Sequence, residues 1–102
     1  MNREQKLKSQ AIFAHYGLDS QLRILQEECA ELKQAASKYL RAQEAGKPIA
    51  QAKVALMEET ADVMIMLEQI KSIFTATALD AMITSKLNRQ LDRIGSESRE
   101  KS

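Results

Sequence analysis

Apolar side chains recur at every third or fourth position along most of the chain, which is the period of an amphipathic α-helix. The pattern predicts four helices: residues 4–16, about 20–45, about 50–74, and a fourth from Thr75 or Thr77 to Ile94. Gly17 and Gly46 fall between them, where a glycine favours the end of a helix. No segment has the alternating pattern of a strand. We therefore predict an all-α, four-helix bundle-like protomer in which short connections make neighbouring helices antiparallel.

The third predicted helix is apolar on every side. Its main stripe includes Leu56, Val63 and Leu67, while Val54 and Ile65 fall nearly opposite. A helix that is apolar all round must be covered on all sides. We expect a second subunit to cover the outer face, so that the protein assembles as a homodimer or as a homotetramer built from two dimers. The alternative is a central helix enclosed by its own chain.

Composition and charge narrow the class of protein. With 102 residues, the chain is long enough for one domain, which we place at residues 1–95, and the polar residues 96–102 are expected to form a disordered tail. The single cysteine, Cys29, fits a reducing compartment and is expected to pack as a small apolar residue. A formal net charge of +1 does not favour nucleic-acid binding. No apolar run could span a bilayer, so we expect a cytoplasmic protein without a membrane partner.

Two acidic octets, residues 26–33 and 57–64, share the pattern Glu-Glu-x-Ala-acid-aliphatic. On a helical wheel each octet places two carboxylates together beside the apolar stripe, at equivalent angles in the two helices. These pairs are Glu28 with Glu31, and Glu59 with Asp62. The remaining acids, Glu27 and Glu58, point to solvent. A single pair of this kind is usually a solvated helix face, but two pairs in matched phase predict one shared site.

If the second and third helices pack antiparallel, four carboxylates face one cavity. Such a cluster is costly when empty, because like charges at short distance repel and raise one another's pKa values. Oxygen ligands without histidine or cysteine suit a hard cation. We therefore expect Mg²⁺, for which Mn²⁺ could substitute.

The same acids resemble the E-E-x-x-E…E-x-x-D signature of the MazG-like, all-α nucleoside triphosphate pyrophosphatases. The resemblance covers residues 15–94, and His15-Tyr16-Gly17 and residues 65–69 are also similar to small members of this family. It implies hydrolysis of a nucleoside or deoxynucleoside triphosphate to the monophosphate and pyrophosphate by metal-activated attack of water on the α-phosphorus. It also implies that the four paired carboxylates bind Mg²⁺. Glu28 is our first candidate for the general base, and Glu27 and Glu31 remain alternatives.

Basic residues near the end of the chain are candidates for binding the substrate phosphates. Lys86, Arg89 and Arg93 share one face of the fourth helix. Together with Asn88 they resemble the basic, asparagine-containing segment that the family has at this place. The alternative is a solvated basic edge near a helix C-terminus, where the helix dipole favours positive charge. Three further cations follow the first acidic pair and are interpreted as surface charge: Lys33, Lys38 and Arg41.

The sequence leaves a second class of function open. A chain with the same fold could be a non-catalytic helical oligomer that acts as an interaction or regulatory module. Removing the second acidic pair separates the two hypotheses, because it should abolish metal binding only if the site is real.

Overall fold

The computed structural model describes residues 1–101, and over this range the chain is all-α. Its four helices are α1 (Arg3–Tyr16), α2 (Leu18–Glu44), α3 (Ala50–Lys71) and α4 (Ala76–Lys101). No strand occurs in the part of the chain that the structure describes. The predicted all-α class and the number of helices are confirmed.

The junction between α1 and α2 is a single residue, Gly17. Its φ of +86° lies in a region that side chains with a Cβ rarely adopt, so glycine lets the chain turn without a longer loop. The second helix, which the sequence predicts from about residue 20, begins two residues earlier, so Asp19 and Ser20 lie inside it. The earlier start is possible because the turn at Gly17 allows α2 to begin at Leu18.

The fourth helix begins next to Thr75, as the sequence predicts, but ends beyond its predicted limit. Its first turn is capped by Thr75, whose Oγ1 accepts a hydrogen bond from the Ala78 N–H at 3.2 Å. Gly95 does not stop the helix, because its φ is not positive and it fits within the helix. Residues 96–101, for which the sequence predicts a disordered tail, continue α4, and Ser102 lies outside the described residues. Good helix formers such as Arg99 and Glu100 account for this extension.

The described chain divides into two compact units. The first, Met1–Ile70, contains α1, α2 and nearly all of α3, and the second begins at Lys71 and contains α4. The arrangement of all four helices as one bundle, and the single domain over residues 1–95, stay predictions.

Within the first unit, α2 and α3 pack antiparallel along rows of residues spaced alternately by three and four positions. Near one end, the Gln21 Nε2 donates a buried hydrogen bond of 2.8 Å to Gln69 Oε1. The half-buried and buried positions of the two rows are Gln21, Leu25, Glu28, Leu32, Ala35 and Tyr39 on α2, and Ala52, Leu56, Glu59, Val63, Met66 and Ile70 on α3. This spacing is that of a coiled-coil seam. Glu28 and Glu59 therefore occupy positions that normally hold apolar side chains.

The α1 helix is attached to α3 by a hydrogen bond that the Ser9 hydroxyl donates to the Ile65 carbonyl at 3.2 Å. Ser9 is itself buried. This contact fixes α1 against the outer side of α3, away from the row that contains Glu59.

Several apolar side chains of α3 nevertheless stay exposed. Met57 is 64% exposed and Met64 is 51% exposed, and Val54 and Ile65 are also exposed. These residues belong to the outer face for which the sequence predicts a second subunit. Assembly as a dimer or tetramer stays a prediction.

Cys29 is exposed, so its predicted packing is wrong, because Glu28 rather than Cys29 occupies the row that packs against α3. No helix among residues 1–101 combines the length and the apolar character needed to cross a membrane.

Candidate metal centre

The antiparallel packing of α2 against α3 brings both acidic pairs into one cluster. Each of Glu28, Glu31, Glu59 and Asp62 offers a carboxylate oxygen, and these four oxygens all lie within 4.8 Å of one another. Glu28 lies beside Asp62, and Glu31 lies beside Glu59, each pair close enough for a carboxyl–carboxyl hydrogen bond. The structure thus places all four predicted metal ligands around one point.

The four acids do not have equal surroundings. Glu28 and Glu59 are half-buried in the packed rows, whereas Glu31 and Asp62 are exposed beside them. One oxygen of each half-buried acid, Glu28 Oε2 and Glu59 Oε2, is buried without a hydrogen-bond partner among the described residues. The helical wheel places all four at the edge of the apolar stripe. The wheel misplaces Glu28 and Glu59 by one position. The residues that pack between α2 and α3 follow an alternating three- and four-residue spacing, and this spacing puts both acids in the packed rows.

Burial and mutual repulsion raise the pKa values of both half-buried carboxyls. For Glu28 the largest cause of the raised pKa is burial, followed by the negative charges of Glu31, Asp62 and Glu59. For Glu59 the pKa is raised first by burial, then by a hydrogen bond with Glu31 and by the charges of Glu31, Asp62 and Glu58. A carboxyl–carboxyl hydrogen bond requires a proton, which favours the neutral form. The cluster therefore disfavours full ionisation unless a cation compensates.

The residues fit a hard divalent cation. All four donors are carboxylate oxygens, which are the ligands that Mg²⁺ and Mn²⁺ prefer. A cation among them would give the buried oxygens of Glu28 and Glu59 a partner and would offset the repulsion between the acids. Two of the four ligands are exposed, so the cluster is open on one side rather than closed like a structural cage.

The first acid of each Glu-Glu pair lies outside the cluster, as the helical wheel predicts. Glu27 and Glu58 are exposed and lie outside the cluster, although the charge of Glu58 still acts on Glu59. Glu27 precedes Glu31 by one helical turn and lies on the same edge of α2. Glu27 is thus placed at the rim, and Glu58 is a suitable control position.

The predicted phosphate ligands lie on α4, in the second unit. Lys86, Asn88, Arg89 and Arg93 are all exposed there. Their helical spacing agrees with a shared face for the three cations. Their contact with a phosphate stays a prediction.

Lys38 is a neighbour of the carboxylate cluster that the sequence analysis does not assign to the site. A cavity of about 350 Å³ is lined by Glu31 and Glu59 together with Gln34, Ala35, Lys38 and Ala55. From the sequence we interpret Lys38 as surface charge. In the structure, Lys38 lines this cavity together with Glu31 and Glu59. The available signal was its position seven residues after Glu31, which is two turns along the same helix edge.

Comparisons of the chain with protein-family models, with curated proteins and with solved structures find no match. The resemblance to MazG-like pyrophosphatases therefore rests on the double acidic motif and on the residues around it.

Proposed function

We propose that the chain is a Mg²⁺-dependent nucleoside triphosphate pyrophosphohydrolase that releases a nucleoside or deoxynucleoside monophosphate and pyrophosphate. The observation that carries the proposal is the cluster of four carboxylates whose oxygens lie within 4.8 Å of one another. These four residues are among the five acids that match the motif of the MazG-like family, the fifth being Glu27. The single cysteine and the nucleotide substrate both agree with a cytoplasmic location.

An open, all-oxygen site suits the way in which Mg²⁺ is usually bound, through a few carboxylates and the phosphates of a substrate. Glu28, Glu31, Glu59 and Asp62 would hold the ion, and Mn²⁺ could replace it. When bound, the ion would neutralise charge on the phosphate oxygens and make a water molecule more acidic.

The half-buried Glu28 is the first candidate for the general base. Its raised pKa makes the carboxylate a better proton acceptor near neutral pH. Glu28 would accept a proton from the attacking water while the water oxygen bonds to the α-phosphorus. The bond from the α-phosphorus to the bridging oxygen breaks, and pyrophosphate leaves. Glu27, at the rim of the cluster, is the second candidate.

Two further parts of the proposal concern groups outside the cluster. Lys86, Asn88, Arg89 and Arg93 on α4 would contact substrate phosphates, as the family resemblance implies. The protein would act as a homodimer or homotetramer, which agrees with the exposed apolar face of α3.

The decisive experiment removes the α3 acids. We expect Mg²⁺ to raise the melting temperature of the wild type, because a ligand bound only by the native state stabilises it. We expect the wild type to release pyrophosphate from at least one nucleoside triphosphate. The double variant Glu59→Ala and Asp62→Ala should lose both properties, whereas the control Glu58→Ala should keep them. The proposal fails if neither Mg²⁺ nor Mn²⁺ changes the wild-type melt and a full triphosphate panel gives no pyrophosphate.

A second candidate function is a non-catalytic helical oligomer that acts as an interaction or regulatory module. It is favoured by a row of exposed apolar side chains along α4: Met82, Ile83, Leu87, Leu91 and Ile94. On this hypothesis, the Glu59→Ala and Asp62→Ala double variant becomes more stable, since repulsion is removed, and its self-association is unchanged. Mg²⁺-dependent turnover in the wild type would exclude it as the whole function.

A further inference from the structure

The α2 helix carries a basic edge, formed by Lys38 and Arg41, that follows the acidic residue Glu31 along the helix. Glu31, Gln34, Lys38 and Arg41 follow one another at intervals of three and four residues, so they lie along one edge of the helix. All of them belong to α2. Their order along the edge is therefore fixed by the helix itself.

Two adjoining cavities follow this edge. The cavity of about 350 Å³ contains Glu31 and Glu59 at its acidic end and Gln34 and Lys38 at the other. A second, larger cavity of about 660 Å³ on the surface of α2 is also lined by Gln34 and Lys38, together with Ala30, Lys33, Ser37 and Arg41. Because Gln34 and Lys38 line both, the acidic cluster opens directly onto the basic edge.

The cations of this edge form no ion pairs with the described residues. Within the described residues, neither Lys38 nor Arg41 has an ion-pair partner, although Lys38 shares a cavity with Glu31 and Glu59. Lys8, by contrast, is paired with Glu4 at 3.1 Å. Lys38 and Arg41 are thus available to an anion that occupies the two cavities.

We propose that Lys38 and Arg41 form the subsite for the β- and γ-phosphates of the substrate, an inference that rests on the proposed function. A triphosphate is repelled by four carboxylates, so it needs cations beside the acidic cluster as well as within it. At 1.5 Å per residue, Lys38 and Arg41 begin about 10 and about 15 Å from Glu31 along the helix axis. Lys38 lines both cavities, whereas Arg41 lines only the second.

This placement also gives Lys38 a function during the reaction. The leaving pyrophosphate gains negative charge as its bond to the α-phosphorus breaks, and a nearby ammonium group stabilises that charge. Gln34, between the acids and Lys38, can donate an amide hydrogen bond to a phosphate oxygen. Arg41 extends the positive edge outward, where it attracts the substrate before binding.

The test uses inorganic tripolyphosphate with saturating Mg²⁺ as a probe, measured by isothermal titration calorimetry on the full chain. We expect Lys38→Gln to weaken binding about tenfold, which is the typical effect of losing one charge-assisted hydrogen bond. Arg41→Gln should weaken it less, and Lys38→Arg should restore most of the affinity. The control Lys53→Gln removes the same charge from an exposed position on α3, outside both cavities, and should leave affinity unchanged.

Turnover separates this subsite from the proposed function. Lys38→Gln should raise KM for the triphosphate and lower kcat, while the melting temperature and the Mg²⁺ affinity stay those of the wild type. If Lys38→Gln and Arg41→Gln both bind tripolyphosphate and turn over substrate like the wild type, the subsite is wrong and the hydrolase remains. If the wild type hydrolyses no triphosphate but Lys38→Gln still weakens tripolyphosphate binding, the hydrolase is wrong and the anion subsite remains.

Discussion

Glu28 and Glu59 occupy positions that the packing of α2 against α3 would normally give to apolar residues. Each follows the same three- and four-residue spacing as the leucines, valine and alanines around it. A buried carboxylate oxygen without a partner is unfavourable, because its interaction with water is lost and not replaced. Glu28 and Glu59 therefore lower the stability of the folded chain, and a bound cation is the simplest means of offsetting this loss.

This cost predicts an unusual dependence of stability on pH in the absence of metal. The folded-state pKa values of Glu28 and Glu59 are raised above the ordinary value of 4.5, so protonation favours the folded chain. Their contribution to stability is complete below that ordinary value and is lost as pH rises through the raised values. We expect the wild type in a chelator to lose more stability between about pH 4.5 and neutral than the Glu28→Gln and Glu59→Gln double variant.

Urea unfolding at a series of pH values, with EDTA present, measures this difference. Comparison with the double variant cancels the contributions of the other acids, which titrate in both proteins. Adding Mg²⁺ at neutral pH should stabilise the wild type and leave the double variant nearly unchanged. Parallel pH profiles for the two proteins would contradict the prediction.

Which acids meet could be predicted from the sequence, but their burial could not. The match between the two octets and the antiparallel connection are enough to bring Glu28, Glu31, Glu59 and Asp62 together. The wheel assumes a straight row at one angle, whereas packed helices follow the alternating seam. That difference moves Glu28 and Glu59 into the packed row and moves Cys29 out of it.

At the scale of the helices, two glycines illustrate opposite uses of the same residue. Gly17 has a φ of +86° and forms the whole turn between α1 and α2. Gly95 lies inside α4 with an ordinary helical backbone, and an added Cβ would meet only the end of the Arg99 side chain, at 3.9 Å. The first glycine is required by the turn, whereas the second only weakens the helix.

The two corresponding alanine substitutions should change stability in opposite directions. Gly17→Ala should destabilise the chain by about 1–2 kcal/mol, since a Cβ is strained at positive φ. Gly95→Ala should stabilise α4 by about 0.5–1 kcal/mol and increase helix content. Thermal melts followed by circular dichroism measure both. A loss of helix content in Gly95→Ala would show that α4 ends before this residue.

The predicted ends of the helices show which local sequence signals determine where a helix stops. Gly46 and Pro48 correctly mark the end of α2 and the connection to α3. At Gly95 the same type of signal misleads, because the polar residues after it are good helix formers. A glycine ends a helix where the backbone must reverse, and the sequence alone does not show whether it must.

At the scale of the whole molecule, α3 has apolar side chains that stay exposed to solvent in a single chain. Met57 and Met64 lie seven residues apart on the outer side of the helix, and both are at least half exposed. Burying such side chains stabilises an interface in proportion to the apolar area removed from water. A second copy of the chain is the partner that the proposed function calls for.

We therefore expect the wild type to sediment as a dimer or tetramer in analytical ultracentrifugation. The double variant Met57→Glu and Met64→Glu should sediment as a folded monomer, or dissociate at a concentration at least about tenfold higher, because two charges would be placed in an apolar interface. The control Leu40→Glu changes an equally exposed apolar residue on α2 and should leave the assembly intact. A wild type that is monomeric at all concentrations would contradict the prediction. If only Leu40→Glu dissociates the oligomer, the interface lies on α2 rather than on the outer side of α3.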